Sequence, residues 1–384
     1  MEQTRDVRKR LNATVDALRR LATFEGGEDT PVVSAYLDLS QPEEATPRSR
    51  VAEIESLADR ARQTYTDTEQ HRQEGHQPPL RREVERVREF LEQELAPLGA
   101  AAVAVFSCLD PELFEVIRLP RGVEPKIVAD RHAILRPLLE AGPWLSRATV
   151  VVANRDAFRL FRLRGLGLRE VDRRLEDRVD PDHRTSEGAH QHRIERWAQE
   201  QAHEVAAAVR GEPVAPVVLV APAELLPTLE GALAEAQAGP IVGRIPSDAT
   251  ARGGDDLLPD VERALEEHVA AQDRELLDDL GTGLGPAGTA VRGDEETLQA
   301  LYERRVAALV LVRGRALRGV ECPECGWMAT EGTRCPVDGE ETRAISDLTE
   351  PMIRSALGQS ADVRSLEAEM LGAASSAALL RFAG

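Results

Sequence analysis

Aromatic residues are scarce in this chain of 384 residues, at 3% of the sequence. Lysine is scarcer still, because it occurs only at Lys9 and Lys126, so nearly all of the basic charge is arginine. The hydrophobic content is 42%, and the cores must therefore be built mainly from leucine, valine, alanine and isoleucine. The four cysteines do not form a disulfide framework spread over the chain, because three of them fall within fourteen residues.

Long apolar segments are missing as well. No hydrophobic run approaches the length that spans a membrane, so we predict no membrane partner. Residues 1–21 are charged and amphipathic, unlike a secretory signal. These absences together predict a soluble, cytoplasmic protein.

The net charge of −19 argues against a protein that coats DNA or other nucleic acid non-specifically, because its field would repel phosphate. The charge is unevenly distributed, however. From residue 151 to residue 196 there are eleven arginines against nine acidic residues, together with three histidines. A local nucleic-acid contact is therefore compatible with the acidic total.

The length predicts two or three domains. Strand-like apolar runs alternate with helical, charged segments along the chain, and this order is typical of α/β units with helices packed on a sheet. We predict an α/β fold of three consecutive α/β domains, the last with a zinc-binding insert. Their predicted ranges are 1–142 for the N-terminal domain, 143–272 for the central domain and 273–384 for the C-terminal domain.

The cysteine cluster, CPECGWMATEGTRCPVD, carries the most specific chemical signal. Two Cys-Pro pairs begin at Cys322 and Cys335. The residue three positions after each cysteine, Cys325 in the first case and Asp338 in the second, is a further ligand candidate. Four such ligands suit a tetrahedral Zn²⁺, which binds thiolates and accepts a carboxylate oxygen. No water-activating group stands nearby, so we predict a structural ion. The alternative is a reduced, metal-free hairpin.

The second signal is a Gly-x-x-Gln element, Gly188-Ala189-His190-Gln191, predicted to lie in a loop that runs into a long helix. Glycine lets a backbone approach a ligand closely, and a glutamine amide both donates and accepts hydrogen bonds. Arg184, Arg193 and Arg196 flank the element and suit phosphate. The alternative is an ordinary helix start, with Ser186 as the N-cap and a solvated helix face after it.

These features together resemble the archaeal and eukaryotic class 1 peptide-chain release factors, and specifically their bacterial relatives. Pelota-type ribosome-rescue factors and the eukaryotic Gly-x-x-Gln tRNA hydrolase of ribosome quality control are similar in architecture. The resemblance spans essentially the whole chain and is carried by VVSAYLDLS at 32–40, by RTSEGAHQHRIERWAQEQ at 184–201, and by the segment from VAALVLV through CPECG to AALLRF at 306–382.

The resemblance implies a chemistry for the central element. In that family the loop enters the peptidyl-transferase centre and promotes attack by water on the ester joining the nascent peptide to tRNA. By resemblance, Gly188 keeps the element thin and Gln191 positions the water or stabilises the transition state through its backbone N–H. Arg184, His190, Arg193 and Arg196 would then contact RNA. The implied partners are ribosomal RNA and peptidyl-tRNA, and relatives often work with a translational GTPase.

Two departures from the family pattern refine this expectation. The family's Gly-Gly-Gln reads Gly-Ala-His-Gln here, one residue longer and closer to the quality-control branch. No Asn-Ile-Lys-Ser segment of the kind that decodes stop codons is present in the first domain. We therefore expect codon-independent release or rescue of stalled translation.

Three readings of function stay open from the sequence. The first is an enzyme that hydrolyses peptidyl-tRNA or cleaves near the tRNA acceptor end. The second is a non-catalytic factor that occupies the ribosomal A site during hibernation and does not need Gln191. The third is an RNA-binding protein without a ribosomal role, since a fold does not fix a function.

Overall fold

The structure is a computed structural model with helices and, among the residues that it describes, four β-sheets, and it confirms the predicted α/β class. The chain divides into two compact units, Met1–Gly142 together with Gln272–Gly384, and Pro143–Ala271. The described residues are 15–27, 30–39, 52, 54–57, 59–60, 78–94, 101–119, 122–141, 147–154, 157–164, 167–175, 187–209, 216–284, 288–368 and 371–382.

The N-terminal part of the first unit is a four-stranded antiparallel sheet with the order β3-β2-β1-β4. Its elements are α1 (Val15–Thr23), β1 (Val32–Asp38), α2 (Pro78–Glu94), β2 (Ala102–Cys108), β3 (Leu113–Leu119), β4 (Lys126–Asp130) and α3 (Arg136–Glu140). All seven residues of β2 are buried, as its continuous apolar sequence predicts for a central strand. One face of the sheet packs Val33, Val103 and Val105 against Val84 and Val87 of α2.

One acidic side chain lies inside this packing. Glu83 of α2 has no exposed surface, and Ser107 Oγ of β2 donates a hydrogen bond of 2.5 Å to its Oε2. The other oxygen, Oε1, has no hydrogen-bond partner. Burial raises the pKa of Glu83 above its usual value, although the hydrogen bond and Arg86 oppose the rise. The folded state therefore favours the protonated carboxyl.

We expect the Glu83→Gln variant to gain stability relative to the parent protein as the pH rises. A carboxyl whose pKa is raised by folding contributes stability below its unfolded pKa, and that contribution is lost as the pH passes through the folded value. Urea unfolding at pH 4 and pH 8 measures the effect. The free energy of unfolding of Glu83→Gln minus that of the parent protein should be larger at pH 8 than at pH 4. A difference that is the same at both pH values would contradict the prediction.

The second unit is a five-stranded sheet with the order β7-β6-β5-β8-β9. Strands β5, β8 and β9 are parallel, and β6 is antiparallel to both of its neighbours. The elements are β5 (Arg147–Ala153), β6 (Ala157–Arg164), β7 (Gly167–Leu175), α4 (Glu187–Val209), β8 (Val217–Ala221), α5 (Leu226–Glu235), β9 (Ile241–Pro246) and α6 (Gly254–Gly283).

Helices cover both faces of this sheet. On one face Ala198, Ala202 and Val205 of α4 pack with β5, β6, β8 and α5. On the other face Leu257 and Val261 of α6 pack with the same strands. Helix α6 is 30 residues long and continues without interruption past residue 272, where the sequence analysis places a domain boundary.

A buried arginine ties α6 to the sheet. Arg159 of β6 is 5% exposed, and its Nε and Nη2 atoms each donate a hydrogen bond of 2.8 Å to the carboxylate of Glu170 on β7. Its Nη1 atom donates to the carbonyls of Thr250 and Arg252, in the segment that leads into α6. The guanidinium also lies 4.7 Å from the ring centroid of Phe161. All of these contacts depend on one side chain.

The C-terminal part of the first unit contains two sheets. The larger has the order β10-β16-β11-β15, with β11 and β15 parallel, and the smaller has the order β13-β12-β14. The elements are β10 (Ala290–Arg292), α7 (Asp294–Tyr302), β11 (Val306–Val312), β12 (Gly319–Glu321), β13 (Met328–Ala329), β14 (Arg343–Ile345), α8 (Thr349–Gly358), β15 (Asp362–Leu366) and β16 (Ser376–Leu380).

The N-terminal and C-terminal parts of the first unit are joined by a polar contact. The Glu350 carboxylate of α8 accepts hydrogen bonds of 2.9 Å from the backbone N–H groups of Leu135 and Arg136, at the start of α3. Arg136 Nη1 also donates to Asp347 at 2.7 Å. Glu350 thus satisfies two backbone donors at a helix start, which a carboxylate does favourably. This contact joins segments more than 200 residues apart within one compact unit.

Candidate functional site

The cysteine hairpin is built on the small sheet of β12, β13 and β14. Val320 of β12 is paired with Ala329 on one side and with Ala344 on the other. The first Cys-Pro pair follows β12 directly, and the second lies between β13 and β14. The sheet therefore holds the two turns that carry the ligand candidates.

The two turns have the same backbone geometry. In the first, Gly326 N–H donates to the Cys322 carbonyl at 3.0 Å, and in the second Gly339 N–H donates to the Cys335 carbonyl at 3.0 Å. Gly326 has φ +72° and Gly339 has φ +79°, a conformation that favours glycine. The sequence repeat of Cys-Pro, ligand and glycine thus appears as a structural repeat.

The four predicted ligands converge, as expected. One donor atom from each of Cys322, Cys325, Cys335 and Asp338 lies within 4.8 Å of the other three. The Sγ atoms of Cys325 and Cys335 are 3.5 Å apart, and Cys322 Sγ is 3.3 Å from Asp338 Oδ2. Bonds of about 2.3 Å to sulfur and about 2.1 Å to oxygen around a tetrahedral ion require ligand separations of about 3.6 Å. The donor set therefore fits a tetrahedral metal ion.

The charge on Asp338 also suits a cation. Hydrogen bonding, from the Cys325 thiol first and then from the backbone N–H of Glu340, lowers the pKa of Asp338 to about 2. The carboxylate is therefore ionised at neutral pH and ready to bind a metal without losing a proton. The cysteines bind as thiolates, so metal binding here releases protons and strengthens as the pH rises.

The structure adds neighbours that the sequence analysis did not predict. Burial, followed by electrostatic interaction with Cys325, Cys335 and Asp338 and a hydrogen bond with Cys325, raises the pKa of Tyr302 at the end of α7. Thr330 Oγ1, just after β13, donates a hydrogen bond of 2.6 Å to Glu295 of α7. Tyr302 lies twenty residues before Cys322 and belongs to no sequence motif. The spacing of residues along the chain therefore could not have predicted its place beside the cluster.

The Gly-x-x-Gln element differs from its predicted conformation. Helix α4 begins at Glu187, so residues 188–191 lie in its first turns and not in a loop before it. An acidic first residue is favourable at a helix N-terminus, and the helical cost of one glycine is only about 1 kcal/mol. These two effects explain why the helix includes the element. The loop prediction was therefore wrong.

The remaining candidates of this segment are only partly described. Arg184 lies outside the described residues, as do the side chains of His190, Gln191 and Arg193. Arg196 is described and is exposed on α4. Their proposed contacts with RNA stay predictions.

The length of α4 determines where the element lies along the helix. The helix has 23 residues, and Trp197, Ala198, Ala202, Val205 and Ala206 are its described side chains that join the core. At 1.5 Å per residue, Gly188 lies about 13 Å before Trp197 along the helix axis. Gly188 thus lies more than two helical turns before Trp197.

No helix in the described ranges is both long enough and apolar enough to cross a membrane.

Comparisons with known proteins yield similar solved structures but no family assignment. No protein-family model and no curated protein matches the chain. The archaeal translation termination factor aRF1 is 15% identical over 97% of this chain and 99% of its own, with a TM-score of 0.24. Archaeoglobus fulgidus Pelota is 13% identical over 97% and 93%, with a TM-score of 0.32.

A third similar structure is that of S. cerevisiae Dom34, described as a translation termination-like factor involved in RNA quality control pathways and interacting with Hbs1. It is 10% identical over 67% of this chain and 70% of its own, with a TM-score of 0.40. At such scores none of the three likenesses by itself places this chain in a family.

Proposed function

We propose that this chain is a codon-independent release factor that rescues stalled ribosomes by promoting hydrolysis of peptidyl-tRNA. The observation that carries the proposal is the position of Gly188 and Gln191 in the first turns of a long helix, where Gly188 lies about 13 Å before Trp197 along the axis. A helix end is narrow enough to enter a crowded RNA cavity. Gly188, which has no Cβ, lets the substrate approach the backbone.

The helical first turn supports a specific division of roles. The first N–H groups of a helix have no partner inside it, so those of Gly188 and Ala189 are free to donate to a developing oxyanion. The N–H of Gln191 instead faces the carbonyl of Glu187 in the helical ladder. We therefore assign the Gln191 role to its side-chain amide, which orients the water. Water bonds to the ester carbonyl carbon, the carbon–oxygen bond to tRNA breaks, and the released tRNA hydroxyl takes the proton.

The same proposal covers the partners. Arg184, His190, Arg193 and Arg196 contact ribosomal RNA or tRNA phosphate near the catalytic turn. The working partner is the ribosome carrying peptidyl-tRNA, and a translational GTPase is a further candidate. Zn²⁺ at Cys322, Cys325, Cys335 and Asp338 has a structural role, because it fixes the two turns of the small sheet.

A non-catalytic A-site factor is the second candidate. The observation that favours it is the helical conformation of the element, which commits the Gln191 N–H to the helix. Such a factor would bind the ribosome through its arginines and would not depend on the glutamine amide. The two candidates therefore differ in the effect expected of changes at Gln191.

We expect the Gln191→Ala variant to release peptide about 100-fold more slowly than the parent protein, because an amide that stabilises the transition state is lost. The measurement uses purified stalled ribosomes with a labelled nascent peptide on P-site tRNA and follows both the peptide and the tRNA 3′ end. An intact tRNA end indicates ester hydrolysis, whereas a shortened end indicates nuclease cleavage.

Two further variants separate side chain from backbone. Gln191→Glu keeps the shape but removes the amide donor, so it should be slow if the side chain acts. Gly188→Pro removes one backbone N–H at a position where a helix tolerates proline, so it tests the oxyanion donors. Ribosome binding without release by the parent protein would reject hydrolysis and leave the A-site factor.

A further inference from the structure

The three thiols of the cysteine hairpin differ in their access to solvent. Cys325 is exposed, whereas Cys322 and Cys335 are buried. Glu324 and Gly326, the neighbours of Cys325 in its turn, are exposed as well. Because oxidation of a thiol follows its exposure to the dissolved oxidant, Cys325 is the residue that an oxidant reaches first.

A second thiol lies within reach of Cys325. The Sγ atoms of Cys325 and of Cys335, which belongs to the other turn, are 3.5 Å apart. A disulfide bond is about 2.0 Å long, so rotation of the two side chains has to bring these sulfur atoms about 1.5 Å closer. Cys322 has a different neighbour, because its Sγ atom lies 3.3 Å from Asp338 Oδ2. The geometry therefore favours Cys325 and Cys335 as the pair that oxidation joins.

A disulfide between these two cysteines is incompatible with the metal ion. The donor set consists of three thiols and the carboxylate of Asp338. Cysteine binds a metal as a thiolate, and a sulfur atom in a disulfide no longer carries that charge. A bond between Cys325 and Cys335 thus removes two of the four donors. The two that remain are too few for the tetrahedral coordination that holds zinc in a structural site.

We propose that the cysteine hairpin is a redox switch, in which hydrogen peroxide joins Cys325 to Cys335 and thereby releases the metal ion. This inference rests on the metal ion of the proposed function but not on Gly188 or Gln191. In the reduced hairpin the ion fixes the two turns of the small sheet, whereas in the oxidised hairpin the new bond takes over that link. The state of the two sulfur atoms thus controls whether the small sheet carries a metal ion.

The reaction consumes one hydrogen peroxide for each disulfide. The Cys325 thiolate attacks one peroxide oxygen, the oxygen–oxygen bond breaks, and a sulfenic acid forms as hydroxide leaves. The Cys335 thiolate then attacks the Cys325 sulfur, the sulfur–sulfur bond forms, and the sulfur–oxygen bond breaks with loss of a second hydroxide. The two sulfur atoms lose two electrons, the peroxide gains them, and protons from the solvent convert both hydroxides to water. Because the second thiol captures the sulfenic acid, a reductant can restore both thiols.

The test treats the full-length, zinc-loaded protein with hydrogen peroxide and follows zinc release with a chromogenic chelator. We expect the release of one zinc ion per chain, a fall in mass of about 2 Da from the loss of two hydrogen atoms, and a disulfide that peptide mapping assigns to Cys325 and Cys335. Dithiothreitol with added zinc should restore the metal content and the original mass. Protein incubated without peroxide should retain its zinc.

Cys108→Ser is the matched control, because Cys108 is a buried cysteine outside the hairpin. This variant should release zinc and form the disulfide like the parent protein. The switch is rejected if the parent protein holds no zinc, if it keeps its zinc and its mass after peroxide treatment, or if the disulfide maps to another pair of cysteines. The proposed function fails separately, because Gln191→Ala should release zinc like the parent while losing peptide release.

Discussion

Replacing Cys322 by serine is expected to abolish stoichiometric metal binding and to unfold the small sheet of β12, β13 and β14. Cys322 is buried and its Sγ atom lies among three other donor atoms. A tetrahedral site that loses one thiolate binds its ion at least about 100-fold more weakly, which is too weak to retain the ion. Because metal binding at such a site supplies folding free energy, the sheet depends on it.

The measurement combines elemental analysis of the purified protein with chelator competition and the spectrum of the cobalt-substituted form. We expect one zinc ion per chain and a tetrahedral cobalt spectrum with thiolate charge-transfer bands. Asp338→Cys should bind the ion more tightly and strengthen those bands, because a fourth thiolate replaces an oxygen ligand.

Glu340→Ala is the control for the metal experiment, since Glu340 is an exposed acidic residue two positions from Asp338. It should leave the metal content unchanged. A purified parent protein that holds no metal after expression with zinc, and shows no thiolate bands with cobalt, would falsify the metal assignment and leave a reduced hairpin.

Replacing Arg159 by methionine is expected to lower the free energy of unfolding of the second unit by about 3 kcal/mol or more. The change leaves the carbonyls of Thr250 and Arg252 without their donor and removes the partner of Glu170. Breaking a buried ion pair by deleting one member costs about 3–5 kcal/mol. Glu170 can still reach water, which places the expected loss at the lower end.

Urea unfolding followed through Trp197, which packs in the core of this unit, measures the effect. Hydrogen exchange should also quicken in residues 248–252. The double variant Arg159→Met/Glu170→Met should recover part of the loss, because it also removes the carboxylate that has lost its contact with Arg159. Arg263→Gln, at an exposed arginine of the same unit that pairs with Asp260 on α6, serves as a surface control and should cost less than about 1 kcal/mol. Equal stability of the Arg159 and Arg263 variants would contradict the importance of the network.

The strands with continuous apolar sequences are the part of the fold that sequence predicts best. Apolar runs at 32–39, 101–108, 148–153, 216–221 and 306–312 predict strands, and β1, β2, β5, β8 and β11 lie within a residue or two of these bounds. Charged, periodic segments predict long helices as well. β3 and β4 are not predicted, because their mixture of polar and apolar residues has no strong period of two.

The candidate site likewise has residues that the sequence predicts and residues that it does not. The convergence of the candidate metal ligands is predictable because each turn brings two of them together within four residues, and local spacing fixes local geometry. Tyr302, Glu295 and Glu350 are not predictable, since each contacts its partner through the packing of segments distant in sequence.

The sequence by itself determined the α/β class, the four candidate metal ligands and the glycine and glutamine of the central element. These depend on composition, periodicity and short spacing, which a chain carries before it folds. Only the tertiary structure decided that Gly188 and Gln191 lie in the first turns of a helix and that Arg159 of β6 meets the carboxylate of Glu170 on β7. Arg159 and Glu170 come together because β6 and β7 pair, and a shift of one residue in strand register would exchange the two faces of the sheet.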